Sequence, residues 1–385
     1  MSPAAPDHAT PYSPPSVLAR AFCGVYLLLI VYACLYPLRG WHYTGLPLFD
    51  YLTAPKPKYF DNADFVFNVL GYIPLGFLLI AALPRMRHYW LPVLLATLIA
   101  GLLSFSLETV QNFLPTRVSS NIDIAANLAG GLIGALAGAV FAHRLFDPER
   151  GFQHWRSGHI VPGYIGEGGL ILLSLWVFGQ ATPDDTLFGS GNLRRLFDID
   201  PILAFDADLF IALETALSVT TLVGVGLMAR CIMVRPAQWP VGLLFLLAIA
   251  SKAVATTVFY TPPSPTIWLT PGAERGLIGG VLLFAFCTLL PRALQYAVSG
   301  ICLLAATVII NLLPNNPYLP PLAPQGTFLN LHGIVDMIDT FWPFAALAYL
   351  VLLGLRFNSH LQNGGNAPQS GAEARPMNFI RKNRG

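Results

Sequence analysis

Apolar runs of about twenty residues, separated by short polar loops, recur along the whole chain. A helix rises about 1.5 Å per residue, so a run of that length crosses the hydrocarbon core of a bilayer. The runs lie at 19–38, 62–84, 89–114, 122–144, 163–181, 207–229, 239–260, 276–291, 297–313 and 339–356. They predict an all-α fold, a polytopic transmembrane helical bundle of about ten spans. The eighth and ninth runs are short and divided by little more than Pro291 and Arg292. Residues 184–206 mix charge with apolar positions, which predicts a helix lying at the interface rather than crossing it.

Polar stretches divide these runs into units. Residues 1–16 form a polar, proline-rich tail without the basic start of a secretory signal, so the first run is expected to stay as a span. Residues 17–147 make a four-helix membrane unit, and 148–162 a cytoplasmic linker. Residues 163–356 make a six-helix membrane unit. The segment 357–385 is poor in apolar residues and predicts a disordered cytoplasmic tail.

Composition narrows the class. Charged residues make up 11% of the chain, against about 25% in a soluble domain. With a mean hydropathy of +0.59, this excludes a soluble protein with a single anchor. A net charge of +2 without a basic stripe gives no reason to expect nucleic acid as a partner. The five cysteines show no metal-ligand spacing, so no metal is expected, and no cofactor motif stands out. Signatures of hydrolases, zinc proteases and P-loop enzymes are missing.

Lys and Arg in the short loops set the orientation. With both termini in the cytoplasm, fourteen of the 22 basic residues fall inside and seven outside, and Lys252 lies within a span.

Against this apolar background a few polar residues stand out, because ionisable groups cost several kcal/mol at membrane depth. Asp61, Asp64 and Asn68 share one face at the start of the second run. Glu108, Gln111 and Asn112 share a face at the end of the third. Asp123, Asn127, Gly130, Gly134 and Gly138 form one stripe on the fourth. Such a small-xxx-small stripe lets helix backbones approach closely. Arg117, in the intervening loop, is the cation placed to neutralise Glu108, Asp123 or Asp64. Asp64, Asn68, Glu108, Gln111, Arg117, Asp123 and Asn127 are therefore the candidate ligand-binding residues. They define either a polar pocket opening to the outer leaflet or a buried network that fixes helix register. Glu214 and Lys252 fall at equal depth on consecutive spans and are expected to form an intramembrane pair.

The element N-x5-P-x-G from Asn68, followed by E-x2-Q-x5-R-x5-D-x3-N from Glu108 and then glycines, resembles the VanZ-like family of bacterial membrane proteins. The resemblance covers residues of about 25–145. It implies a multi-pass protein of the bacterial cytoplasmic (inner) membrane that contributes to cell-envelope properties, with teicoplanin resistance as the family's named precedent. Membrane lipids, a lipid-linked envelope precursor or a lipophilic antibiotic are the expected partners. Binding or organisation is expected rather than catalysis. A membrane enzyme with Glu108 and Asp123 as acid and base, or a secondary transporter using Glu214 and Lys252, remain the alternatives.

The charge distribution places Ser157 inside and Ser119 outside. Single cysteines at these positions, in a cysteine-free background, should react with an impermeant thiol reagent from opposite sides. Labelling from the same side would overturn the topology.

Overall fold

The computed structural model describes residues 17–55, 62–115, 117–145, 151–182, 186–260, 263–316 and 329–365, apart from 37, 39, 44, 46, 85, 87, 89 and 198. The described elements are helical: α1 (Val17–Leu35), α2 (Asn62–Ala82), α3 (Trp90–Gln111), α4 (Asn121–Leu145), α5 (Gly151–His159) and α6 (Tyr164–Gly179). They continue with α7 (Leu193–Phe197), α8 (Ala207–Cys231), α9 (Trp239–Phe259), α10 (Pro271–Cys287), α11 (Arg292–Leu312) and α12 (Leu329–Gly365). A short 3-10 turn occupies Asp50–Leu52.

Each of the ten apolar runs coincides with a helix. Eight of them (α1 to α4, α8, α9, α11 and α12) are long and apolar enough to cross a membrane. The other two are shorter, α6 with 16 residues and α10 with 17. Large apolar side chains such as Leu28, Leu102, Leu246, Leu282 and Val351 stand exposed on the outside of the bundle. Lipid is the medium in which such a surface is stable.

The glycine stripe holds α4 against α2 in the first unit. A Cβ placed on Gly130 or Gly134 would collide with the backbone carbonyl of Val69 or Ile73, and one on Gly138 would press on Phe77 O and Ile80. The contacts advance by four residues on both helices, so α4 lies along α2 backbone to backbone. Gly76 of α2 meets the Gly131 carbonyl in the same way. Gly131 also faces Ala100 of α3, which brings the third helix against the pair.

In the second half α8 is the central helix, packed chiefly against α10 and α11, while α6 packs against α12 and α9. A second glycine row repeats the device: Gly272, Gly276 and Gly280 of α10 lie against Glu214, Ser218 and Leu222 of α8. The expected linker carries α5, which is tied down rather than free. Arg156 pairs with Glu167 of α6 at 3.4 Å. Ile160 and Met233 form an isolated antiparallel bridge, which docks the end of α5 on the turn after α8.

The segment expected to be an interfacial helix departs from that reading. Among its described residues, only Leu193–Phe197 is helical. Leu187 and Phe188 before it are fully buried, and Phe188 sits between Trp176 and Phe245 with ring centroids 5.5 and 5.3 Å away. Phe188 adopts φ +62° and Gly191 φ +89°. The stretch turns into the bundle, where protein rather than lipid covers its backbone. Gly191 N–H, for example, donates to Asp339 O at 2.9 Å.

Replacing Gly134 by Val should push α2 and α4 apart and destabilise the protein by about 1–3 kcal/mol. Gly24 of α1 has nothing within 4 Å of an added Cβ, so Gly24→Ala should be neutral or stabilising by up to ~1 kcal/mol. Thermal unfolding of the two variants in detergent checks the contrast.

Candidate functional site

The polar residues of the first unit gather at one end of its four helices. The last carbonyls of α1 have no partner within their own helix. Two of the expected site residues supply donors to that end. Arg117 donates from Nε and Nη2 to Tyr36 O, at 3.1 and 2.6 Å, and from Nη2 to Ala33 O at 3.4 Å. Gln111 Nε2 donates to Cys34 O at 2.8 Å. A guanidinium at a helix C-terminus also meets the negative end of the helix dipole.

The expectation that Arg117 neutralises a carboxylate by direct contact is therefore corrected. Its hydrogen bonds go to carbonyls, and Glu108 lies within its electrostatic reach instead. Burial draws the Arg117 guanidinium below its ordinary pKa, and the nearby Cys34 and Glu108 oppose that shift.

Glu108 is 5% exposed. Its Oε2 accepts from Ser120 N–H at 2.9 Å, and its carbonyl accepts from the Ser119 hydroxyl at 2.6 Å. The carboxylate thus folds the α3–α4 loop back over the end of α3. Asp123 stands half-buried in the first turn of α4, where an acid suits the helix dipole. Both Asp123 and Arg117 act electrostatically on Glu108. Asn127, 3% exposed, donates from Nδ2 to the Ser104 hydroxyl at 2.9 Å. Its Oδ1 is buried without a hydrogen-bond partner. The Tyr72 hydroxyl of α2 approaches Ser104 but makes no well-aligned hydrogen bond and is buried as well.

The loop between α1 and α2 lies over this end. Asn112 Nδ2 donates to Leu48 O at 3.0 Å, and Asn121 Nδ2 to Leu52 O and Ala54 O, each at 3.1 Å. The Tyr51 hydroxyl meets Thr109 Oγ1 at 2.9 Å. Asn68 is half-buried on α2. Asp61 and the side chain of Asp64 lie outside the described residues.

Sequence reasoning missed Ser104 and Tyr72. Ser104 stands four residues before Glu108, on the same helix face, and that spacing was the available signal.

In the second unit Glu214 and Lys252 are each 1% exposed, but the structure does not bring them into an ion pair. Lys252 Nζ donates to Thr182 O at 2.5 Å, just beyond the end of α6. The Thr270 side chain at the start of α10 lies beside the Glu214 carboxylate, whose Oε2 is buried without a hydrogen-bond partner. The reason is packing: α8 turns its contacts to α10 and α11, and Lys252 of α9 faces α6. Asp339 of α12, also unforeseen, is 2% exposed and lies against Gly179 at the end of α6. An acid within an apolar run was the signal for it.

Residues 23–142 match the family model described as VanZ/LLP1. The match agrees with the resemblance carried by the residue spacing and covers the four helices that hold the first site. Neither a curated protein nor a solved structure matches the chain.

Arg117→Leu removes three hydrogen bonds, one to Ala33 O in the last turn of α1 and two to Tyr36 O just after it. Hydrogen bonds to charged groups contribute about 1.5–3 kcal/mol. The variant should therefore show a lower unfolding temperature and faster amide exchange confined to the end of α1 and the residues just after it. Unchanged exchange there would contradict the capping role.

Proposed function

We propose, taking residues 23–142 as a VanZ/LLP1 unit, that the protein works in a bacterial inner membrane as a binder or organiser of an amphiphilic envelope component. The component is an envelope lipid, a lipid-linked precursor or a lipophilic antibiotic, and it docks at the polar end of the first four helices. The support is the pair of orphaned groups, Asn127 Oδ1 and the Tyr72 hydroxyl, buried in the same unit as Glu108. A buried polar group left unsatisfied costs about 1–3 kcal/mol. Two of them on neighbouring helices fit a place kept ready for a polar headgroup. Exposed apolar residues of α3 and α4, such as Leu102 and Leu136, offer an acyl chain apolar surface.

A second reading, a network that only fixes helix register, is favoured by the bonds from Arg117 and Gln111 to α1. The two readings differ in what the remaining polar groups do. On the first, envelope function needs the negative charge and second acceptor oxygen of the Glu108 carboxylate, which an amide lacks. On the second, it needs only a folded bundle.

Glu108→Gln keeps the size of the side chain and an acceptor for Ser120. It should reduce co-purified or photo-crosslinked envelope lipid at least tenfold and abolish the envelope phenotype, at normal abundance and nearly unchanged melting temperature. Loss of binding in step with loss of abundance would favour the register network.

A further inference from the structure

A cavity of about 210 Å³ opens in the second unit, away from the VanZ/LLP1 region. It lies where the starts of α8 and α10 meet the ends of α9 and α11: Phe210 and Glu214, Thr270, Thr256 and Ile310 all border it. Its volume is several times that of one water molecule, about 30 Å³, and suits a small polar headgroup. Glu214 lies seven residues into α8, about 10 Å below its end.

The charges around the cavity are of both signs and are set in place. Arg194 and Arg195 border it from α7. Asn311 holds the start of α7, since its Oδ1 accepts from Leu193 N–H at 2.9 Å and Arg194 N–H at 3.3 Å. Arg194 Nη2 reaches Leu313 O at 2.8 Å, and Arg195 pairs with Asp336 of α12. Each guanidinium carries five donors in a planar fork suited to phosphate oxygens.

Glu214 borders the same cavity from the apolar side, and its Oε2 is buried without a hydrogen-bond partner. It is there by construction. The carboxylate rests on Gly272, where an added Cβ would strike it, and Thr270 stands beside it on the cavity wall. A carboxylate oxygen buried without a donor is costly, and a cation or donor entering the cavity would relieve that cost. Trp268, also on the wall, is held by its indole N–H to Pro265 O at 2.7 Å.

We propose that this cavity binds a phosphate ester that carries a protonated amine, with the phosphate at Arg194 and Arg195 and the ammonium at Glu214. A zwitterionic aminophospholipid headgroup and a free phosphoethanolamine-type molecule share this chemistry. The apolar wall of Phe210, Ile310 and Leu313 meets the glycerol and first methylenes of the lipid. The proposal stands on α7 to α11 and does not depend on the site at Glu108.

The full chain, reconstituted in nanodiscs and released for native mass spectrometry, tests it with three lipids: phosphatidylethanolamine, phosphatidylcholine and phosphatidylglycerol. The protein should retain phosphatidylethanolamine at least tenfold over phosphatidylglycerol, which lacks the amine, and over phosphatidylcholine, whose amine cannot donate. Glu214→Gln should erase the preference over phosphatidylglycerol. Arg194→Gln should weaken phosphatidylethanolamine and phosphatidylglycerol alike. Asn315→Trp alters an exposed position at the cavity and leaves the buried charges alone. It should block retention without a drop in melting temperature. Thermal stabilisation by soluble glycerophosphoethanolamine would assign the free molecule as a ligand too, and its absence would assign the lipid; both agree with the proposal. Equal retention of all three lipids, or a preference unchanged in Glu214→Gln and Asn315→Trp, would overturn it.

Discussion

The close approach of α2 and α4 is the contact on which the rest of the first unit depends. Gly130 and Gly134 leave no room for a side chain against the carbonyls of Val69 and Ile73. In lipid there is no hydrophobic drive to bring two helices together, so packing at this distance is itself the source of association. Once α4 is seated on α2, Asn127 faces Ser104 and the start of α4 stands beside the end of α3. The loop between them is then short enough for Glu108 to hold Ser120. Arg117, carried by that loop, reaches Ala33 O in α1 and Tyr36 O just after it. One row of small residues thus positions groups from four helices.

The second unit repeats the principle with a different result. Gly272 and Gly276 bring α10 against α8, but one of the partners there is a carboxylate. Close packing leaves Glu214 buried and short of donors rather than paired. The two polar centres lie at the same end of the molecule. Asp336, which pairs with Arg195 beside the cavity, also lies within electrostatic reach of Tyr32 near the end of α1. A lipid-facing exterior with polar groups collected toward one end is an arrangement suited to amphiphiles, whose own polarity is divided in the same way.

The helices were legible because their periodicity and length answer to the bilayer, which imposes the same rule on every span. The glycine row was legible for a similar reason: spacing alone decides which residues share a helix face. Partner choice was not. Arg117 has a long side chain on a loop, with carboxylates and helix-end carbonyls both in range, and nothing in the residue order ranks them. Glu214 and Lys252 lie on faces that look to different neighbours, because α8 packs chiefly against α10 and α11 while α9 packs chiefly against α6. The buried turn at Leu187 and Phe188 escaped because its charged flank suggested an interface. Its burial depends on Trp176 and Phe245, which are distant along the chain.

Glycine packing of α2 on α4 seats Asn127 and Tyr72 in one buried place, and we propose that an amphiphile's headgroup occupies it. An experimental density map of the full chain in lipid nanodiscs decides this. It should show α2 and α4 in backbone contact at Gly130 and Gly134, with non-protein density within hydrogen-bond reach of Asn127 Oδ1 and the Tyr72 hydroxyl. A map with the two helices separated by side chains, or with both groups bonded to other protein atoms and no ligand between them, would contradict it.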